Sequence, residues 1–367
     1  MRGSGPNFSS RFFLSSLSIQ KCWAALHPFE LTRALVDIPS ITNHEEPVVE
    51  YLHAYLSQLG ARYRGRVERI PAEAARDNLF VTFGQPVVTL STHVDTVPPF
   101  FPSREDELFI WGRGACDAKG IIAAMISAAE KLLAAGERDF ALLFVVGEER
   151  DSAGARAAAA NPRGSRYLIN GEPTENRLAR GCKGALRFEL AARGKLAHSA
   201  YPELGHSAIH SLLDVLQDIR KIPLPSDALL GPTTLNVGVV SGGRAPNVVA
   251  DEARAEIMFR TVGDPAAIRQ AVASAAAASR VEAREVLHTP AMQFAAAFEE
   301  LPTTVVAFTT DIPTFHGAWG QPFLVGPGSI HSAHTAEERI AKSELLAAVE
   351  IYARMVAQLL AGTRSHA

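Results

Sequence analysis

Apolar residues repeat with two different periods along the chain, and the longer period predicts four long helices. Residues 29–36, 48–59, 121–133 and 340–359 place an apolar residue at every third or fourth position. We expect the second of these helices to end at Gly60, because a glycine commonly follows the last turn of a helix.

Short apolar runs between these helices predict strands at residues 87–92, 140–146, 166–170 and 322–325. The run at 140–146 is continuously apolar, which is typical of a strand that is buried on both faces of a sheet. Strands that alternate with helices in this way indicate an α/β domain.

A segment of different character interrupts this pattern between residues 181 and 289. It predicts, in order, a strand, a helix, two strands, a helix and a strand, at about 186–190, 209–219, 235–240, 255–259, 265–279 and 281–287. This order is typical of a small α+β unit of the ferredoxin-like type. We therefore expect an inserted domain at 181–289 and a main domain formed by residues 28–180 and 290–367.

Composition excludes several classes of protein. The 367 residues are 47% hydrophobic and 20% charged, with a net charge of -3, so a nucleic-acid partner is not expected. No apolar run approaches the roughly 20 residues that span a bilayer. Three cysteines without paired spacing indicate a reducing compartment, and we expect a cytoplasmic protein without a membrane partner.

Residues 1–27 contain three basic residues and no acidic one, which raises the question of a targeting segment. Serines interrupt the apolar run, and no small-residue cleavage site follows it. We interpret the segment as an N-terminal extension. An export or anchor segment is the alternative.

Polar residues that suit metal chemistry follow several of the predicted strands. His93 and Asp95 come directly after the first strand, and Asp95 is placed to fix the tautomer that leaves one nitrogen of His93 free for a metal. Glu148 and Glu149 follow the continuously apolar strand, where one carboxylate can bind a metal while its neighbour acts as a general base. A solvated histidine loop and a plain surface turn are the structural alternatives.

Three further residues occupy equivalent positions. Glu172 follows the strand at 166–170, His334 follows the strand at 322–325, and Asp117 lies in a glycine-rich turn before a helix. Asp117 alone would be explained equally well as a helix cap. In an α/β sheet, however, ligands bind beyond the carboxyl ends of the strands, and the shared placement predicts one common site.

These residues fall in five ordered motifs that resemble those of the M20 metallopeptidase family. The motifs are H-x-D at 93–95, G-R-G-x-x-D-x-K-G at 112–120, G-E-E at 147–149, G-E-P-T at 171–174 and A-H-T-x-E-E at 333–338. The family includes acetylornithine deacetylase, succinyl-diaminopimelate desuccinylase, aminoacylase and glutamate carboxypeptidase. The resemblance implies an α/β metallohydrolase domain with a mixed sheet and an inserted domain that serves as a lid and as a dimer contact.

The resemblance also implies a role for each motif residue. Two Zn²⁺ ions, which Co²⁺ or Mn²⁺ can replace, would be bridged by Asp117. His93 and Glu172 would complete the ligands of one ion, and Glu149 and His334 those of the other. Glu148 would be the general base and Asp95 the partner of His93.

Positions outside the metal ligands are implied to contact the substrate. The resemblance assigns His198 to polarising the scissile carbonyl, often across a homodimer, and the remaining positions to substrate binding: Asn236, Asn247, Arg260 and Gly326.

The expected function is removal of an acyl group, most simply acetyl, from the α-amino nitrogen of a small amino acid such as ornithine, citrulline or lysine. A desuccinylase and a glutamate carboxypeptidase are the alternatives within the same chemistry. A metal-binding homologue without catalysis is the alternative outside it, and its mark would be a missing ligand or a missing Glu148.

Overall fold

The computed structural model describes residues 25–295 and 297–364, so most of the predicted N-terminal extension lies outside the described residues. The helices are α1 Pro28–Val36, α2 Glu46–Tyr63, α3 Gly120–Ala134, α4 Ala153–Ala159, α5 Ala208–Ile219, α6 Ala266–Ala278 and α7 Lys342–Arg364. The strands are β1 Arg66–Glu73, β2 Arg76–Phe83, β3 Val88–His93, β4 Arg104–Glu105, β5 Phe109–Trp111, β6 Phe140–Val145, β7 Tyr167–Asn170, β8 Leu178–Cys182, β9 Gly184–Arg193, β10 Ser226–Asp227, β11 Gly231–Pro232, β12 Thr234–Gly242, β13 Glu252–Thr261, β14 Val281–Thr289, β15 Met292–Gln293, β16 Thr303–Val306, β17 Gln321–Leu324 and β18 Arg339–Ala341.

A six-stranded mixed sheet with the order β1-β2-β6-β3-β7-β17 forms the centre of the fold. The strands β6, β3, β7 and β17 run parallel to one another, whereas β1 and β2 form an antiparallel edge. Helices α1, α2, α3 and α7 contribute to the large hydrophobic cluster on one face. Helix α4 packs on the other face together with Phe80 and Trp319.

A second, antiparallel sheet has the order β12-β13-β9-β14. Helices α5 and α6 pack on one face of it, where Leu212, Val215 and Val272 meet Leu190 and Phe259 in a separate hydrophobic cluster. Along the chain these elements follow the order βαββαβ, as the alternating pattern of residues 181–289 predicts. The domain boundaries themselves stay a prediction.

Each long helix and each of the four predicted main-sheet strands is present, which confirms the α/β class. The start of the last helix was wrong, since Ile340 lies in β18 and α7 begins at Lys342, and so was the end of the second helix. Helix α2 continues past Gly60 to Tyr63, because Arg64 adopts the left-handed conformation and donates its backbone N–H to the Gly60 carbonyl. The antiparallel pair β1 and β2 was not predicted, since its residues Arg66–Glu73 and Arg76–Phe83 lack a clear apolar alternation.

Helix α7 is long and apolar enough, with a mean hydropathy of 1.4, to meet the composition expected of a membrane span. Its apolar side chains Leu345, Tyr352 and Val356 are nevertheless buried against the rest of the protein. Such burial is what a core helix of a globular protein shows.

Candidate metal centre

The parallel strands bring the predicted ligands to one edge of the central sheet. His93 is the last residue of β3, Glu149 follows β6, Glu172 follows β7, and His334 lies in the loop after β17. Because these four strands are parallel, their carboxyl ends lie side by side.

Asp117 lies between the two histidines. Its Oδ1 is 2.9 Å from Nε2 of His93, and its Oδ2 is 3.4 Å from Nε2 of His334. Nε2 of His334 is also 2.9 Å from Oε1 of Glu149. Potential ligand atoms of His93, Asp117 and Glu149 all lie within 4.8 Å of one another. Each oxygen of Asp117 thus faces a different histidine, which is the geometry of a bridging carboxylate.

Glu172 is buried beside this group, and its Oε1 has no hydrogen-bond partner among the described residues. Burial raises the pKa of Glu172 well above its ordinary value, and the nearby Asp117 carboxylate adds to the rise. A buried carboxylate oxygen without a donor is costly unless a cation completes its surroundings. Glu172 therefore fits a metal ligand.

The pKa values of the two histidines are raised as well, which for an imidazole favours the charged form. Hydrogen bonds to Asp117 and Glu149 raise the pKa of His334 to about 10. Burial disfavours the charged form of His93, but hydrogen bonds to Asp117 and Asp95 outweigh it and hold the pKa of His93 well above its ordinary value. The carboxylates around these rings favour positive charge at this point. A set of imidazoles and carboxylates without thiolates suits Zn²⁺, Co²⁺ or Mn²⁺.

Asp95 contacts both His93 and the turn that carries the two glutamates. Nδ1 of His93 is 3.0 Å from the backbone carbonyl of Asp95 and 3.5 Å from its Oδ1, so the carbonyl is the nearer acceptor. The Asp95 carboxylate accepts the backbone N–H groups of Glu148 and Glu149, at 3.1 and 3.2 Å, and the hydroxyl of Thr42 at 2.8 Å. Asp95 thereby connects the end of β3, which carries His93, to the turn after β6, which carries Glu148 and Glu149.

Glu148 lines the cleft in front of this cluster. Burial raises the pKa of Glu148 well above its ordinary value, and the adjacent Glu172 carboxylate raises it further. A carboxyl group with a raised pKa is suited to accept a proton and to return it, which is the work of a general base that later acts as an acid.

The cleft has a volume of about 460 Å³, and both sheets contribute to its walls. Arg260, on β13, faces it from the second sheet and donates to Oγ1 of Thr309 at 3.3 Å. Burial lowers the pKa of Arg260, whereas the Glu148 carboxylate counteracts that change. The guanidinium is a cation that faces the cleft, and a guanidinium is well suited to bind a carboxylate.

The other predicted substrate positions lie elsewhere. His198, Asn236 and Asn247 are exposed, and none of the three lines the cleft within residues 25–295 and 297–364. His198 accepts the backbone N–H of Ala200 through Nδ1. Gly326 is buried and packs its backbone against Glu172, so it supports a ligand rather than the cleft wall.

Sequence inspection missed one buried acid beside the catalytic group. Asp311 is buried, its Oδ1 has no hydrogen-bond partner among the described residues, and its charge contributes to the raised pKa of Glu148. Burial raises the pKa of Asp311 itself to about 6. A lone acid in an irregular segment carries no periodic signal, although the preceding Thr309 and Thr310 also line the cleft.

The chain is similar to known proteins over most of its length. The chain is 37% identical over 334 residues to a peptidase M20 domain-containing protein of Schizosaccharomyces pombe, covering 89% of this chain and 83% of that one. It is 37% identical over 372 residues to a probable carboxypeptidase of Aspergillus flavus, covering 89% of each. The crystal structure of aminopeptidase PepT from Bacillus cereus superimposes with a TM-score of 0.74 at 20% identity, covering 91% of this chain and 98% of that chain.

These similarities extend over the whole catalytic cluster. Residues 89–358 match the family described as peptidase family M20/M25/M40, and this span includes all five predicted metal ligands and Glu148. The protein therefore belongs to peptidase family M20/M25/M40 and is a metal-dependent amide hydrolase.

Proposed function

We propose that the protein uses two Zn²⁺ ions to cleave an amide bond whose nitrogen belongs to an amino acid with a free α-carboxylate. Peptides with a free C-terminal residue and N-acyl amino acids both meet this description. The observation that carries the proposal is the position of Asp117, whose two carboxylate oxygens face His93 and His334 separately.

One ion would be held by His93, Asp117 and Glu172, and the other by Asp117, Glu149 and His334. Three protein ligands for each ion leave a position open for water or substrate, as catalytic zinc sites require. When bound, the ions polarise the scissile carbonyl and lower the pKa of the attacking water. Co²⁺ and Mn²⁺ have the same ligand preferences and are candidate substitutes.

Glu148 would remove the proton from the attacking water and deliver it to the nitrogen of the leaving amino acid. Its place in the cleft and its raised pKa support both steps. Asp95 would hold the Glu148 turn in position through the two backbone N–H groups that it accepts. All the residues that such a mechanism needs are present, which argues against a homologue that only binds metal.

Arg260 would select substrates with a free carboxylate. It is the arginine of the second sheet that faces the cleft, and its burial makes a paired anion favourable. His198 would reach the cleft from a second copy of the chain, because in its own chain it is exposed and away from the cleft. A homodimer formed through the sheet β12-β13-β9-β14 is therefore part of the proposal.

Within this substrate class, carboxypeptidase action has the best support, since the relatives at 37% identity include a probable carboxypeptidase. Release of an acetyl group from N-acetylornithine, N-acetylcitrulline or N-acetyllysine is the second candidate. It uses the same contacts, because these compounds also present a free α-carboxylate beside the amide nitrogen. Desuccinylation of N-succinyl-diaminopimelate needs an additional contact for the second carboxylate of the succinyl group.

The test compares pairs of substrates that differ only at the carboxylate. We expect the zinc-loaded protein to hydrolyse N-benzyloxycarbonyl dipeptides with a free C-terminus and to fail with the matching C-terminal amides. The three N-acetyl amino acids and N-succinyl-diaminopimelate are measured in parallel. Equal hydrolysis of free and amidated peptides would contradict the carboxylate requirement, and faster hydrolysis of an N-acetyl amino acid would favour the deacetylase.

We also infer a reducing, cytoplasmic location. Cys116 and Cys182 are both free and buried, which supports an environment in which disulfides do not form. Burial raises the pKa of the Cys182 thiol to about 11, so this group is unreactive at neutral pH. Fractionation of cells that produce the tagged chain checks this location.

A further inference from the structure

A buried ion pair lies directly behind the bridging carboxylate. The side chain of Arg113 is 2% exposed and that of Glu338 is fully buried, and the two are hydrogen bonded through Nη1 and Oε2. The second oxygen of Glu338, Oε1, accepts the backbone N–H groups of Gly114 at 2.9 Å, Cys116 at 3.2 Å and Asp117 at 3.2 Å. One carboxylate thus gathers three amide donors of the turn that presents Asp117.

Glu338 also connects two segments that are far apart in sequence. It lies four residues after His334, and its backbone carbonyl accepts the N–H of Gly112 at 3.1 Å. The next residue, Arg339, begins β18, which pairs with β5 immediately before the Asp117 turn. The turn with Asp117 and the loop with His334 are therefore held together at one side chain.

The arrangement is not one that stability alone would favour. Burial removes the hydration of the Glu338 carboxylate, and this negative charge is held close to Asp117, whose backbone N–H it accepts. Replacing a buried ion pair by apolar residues is often neutral or stabilising, so a retained pair is weak evidence for a role in stability. A role in fixing geometry explains why a charge is held here.

We propose that Glu338 is a positioning residue that fixes Asp117 and His334 relative to each other, and thereby sets the affinity of the metal held by Asp117, Glu149 and His334. The proposal rests on the two-metal centre proposed above. It predicts an unequal effect on the two ions, because His93 and Glu172 are anchored at the ends of β3 and β7 and not by Glu338.

Glu338→Gln is the main variant, and Glu337→Gln is its matched control. Glu337 is the adjacent residue, its side chain is 69% exposed, and it pairs with Arg104 at the surface at 3.3 Å. The control removes one negative charge at the neighbouring position of the chain and leaves the contacts with the Asp117 turn unchanged. Metal-free protein of each kind is titrated with Zn²⁺, and bound metal and catalytic turnover are measured at each addition.

We expect Glu338→Gln to bind one equivalent of Zn²⁺ about 10–100-fold more weakly, the usual consequence of losing a group that orients a ligand. The other equivalent should weaken less, because it shares Asp117 but keeps His93 and Glu172, which Glu338 does not anchor. Turnover should recover when excess Zn²⁺ is added, because every ligand and Glu148 are still present. Glu337→Gln should match wild type in both affinities.

Glu338→Asp provides a second variant that keeps a negative charge beside Arg113 but shortens the reach to the amide donors. It should weaken the same equivalent of metal more than the other, and it provides this test even if Glu338→Gln proves too unstable to purify. Unchanged affinities for both metals in either folded variant would overturn the proposal. Equal weakening of both metals with a lowered melting temperature would overturn it as well, since the role would then be general folding.

The failure of the proposed function gives a different result. If wild-type protein binds no Zn²⁺, or binds one equivalent only, the two-metal centre is wrong before any variant is made. If wild type binds two equivalents and Glu338→Gln binds both as tightly as Glu337→Gln does, the two-metal centre stands and the role proposed for Glu338 is wrong.

Discussion

The two sheets contribute to the cleft in different ways. The ends of the parallel strands of the central sheet and the loops after them place Glu148 and four of the five predicted metal ligands, and the turn after β5 places Asp117 beside them within the same chain. The second sheet supplies Arg260, whereas His198, Asn236 and Asn247 stay on its exposed surface. This difference supports a proposal in which one chain completes the metal centre and a second copy contributes further substrate contacts.

The largest expected effect tests the part of this comparison that concerns the central sheet. Glu148→Ala should lower turnover by about 10²–10⁴-fold, the range that a general acid or base supplies, because the attacking water loses its proton acceptor. Bound zinc should stay at the wild-type level, since Glu148 is a base and not a ligand. Zinc analysis of the purified variant checks this, and loss of metal would show that Glu148 is a ligand instead.

A ligand substitution should give the complementary result. His334→Ala should remove about one metal equivalent and lower turnover by about 10²–10³-fold, as expected when one electrophilic group at the reacting carbonyl is lost. His331→Ala is the control, because His331 lies in the same loop and is absent from the cleft lining. Unchanged metal stoichiometry in His334→Ala would remove this residue from the ligand set.

Arg260 tests the contribution of the second sheet within one chain. Arg260→Ala should lower kcat/KM for free C-terminal substrates by about 10–100-fold, the value of one hydrogen bond between charged groups. Metal content should not change. Arg254→Ala, on the same strand but exposed and away from the cleft, is the control. If amidated substrates lose as much as free acids, Arg260 does not bind the carboxylate.

The smallest expected effect concerns the exchange between subunits. Glu148→Ala and His198→Ala are each nearly inactive, but a mixture that is dissociated and reassembled should regain about a quarter of wild-type activity. Half of the dimers are then mixed, and each mixed dimer has one site with Glu148 and the partner's intact histidine. Activity that stays at the level of the single variants after reassembly would place His198 in its own site, and full activity of His198→Ala by itself would place it outside catalysis.

Sequence inspection succeeded for residues that lie at the ends of central-sheet strands and failed for residues that only tertiary packing brings to the site. Residues such as His93, Glu149 and Glu172 follow apolar runs, and parallel pairing converts that shared position into proximity. Asp311 lies beyond the short strand β16, which was not predicted, and Thr42 follows no apolar run, so only the folded chain reveals that one lies beside Glu148 and the other donates to Asp95. Glu338 was visible as a motif residue, but its three amide donors belong to a turn more than 220 positions away.

The predicted substrate positions of the second sheet show most clearly what the sequence could not predict. Arg260 alternates with buried residues on β13, so a strand pattern predicts only that it points away from the helices. Whether that face meets a cleft or solvent depends on how the two sheets pack, which no local pattern encodes. The role proposed for His198 requires a second chain in addition, and the roles of His198 and Asn247 stay predictions.

One measurement tests the central claim most directly. Metal-free protein is titrated with Zn²⁺ while hydrolysis of a free C-terminal dipeptide and of its amide is followed at each addition. The account predicts that hydrolysis of the free acid rises to a plateau at about two equivalents and that the amide stays uncleaved. Full activity at one equivalent or without metal, or two bound ions without any hydrolysis, would contradict it.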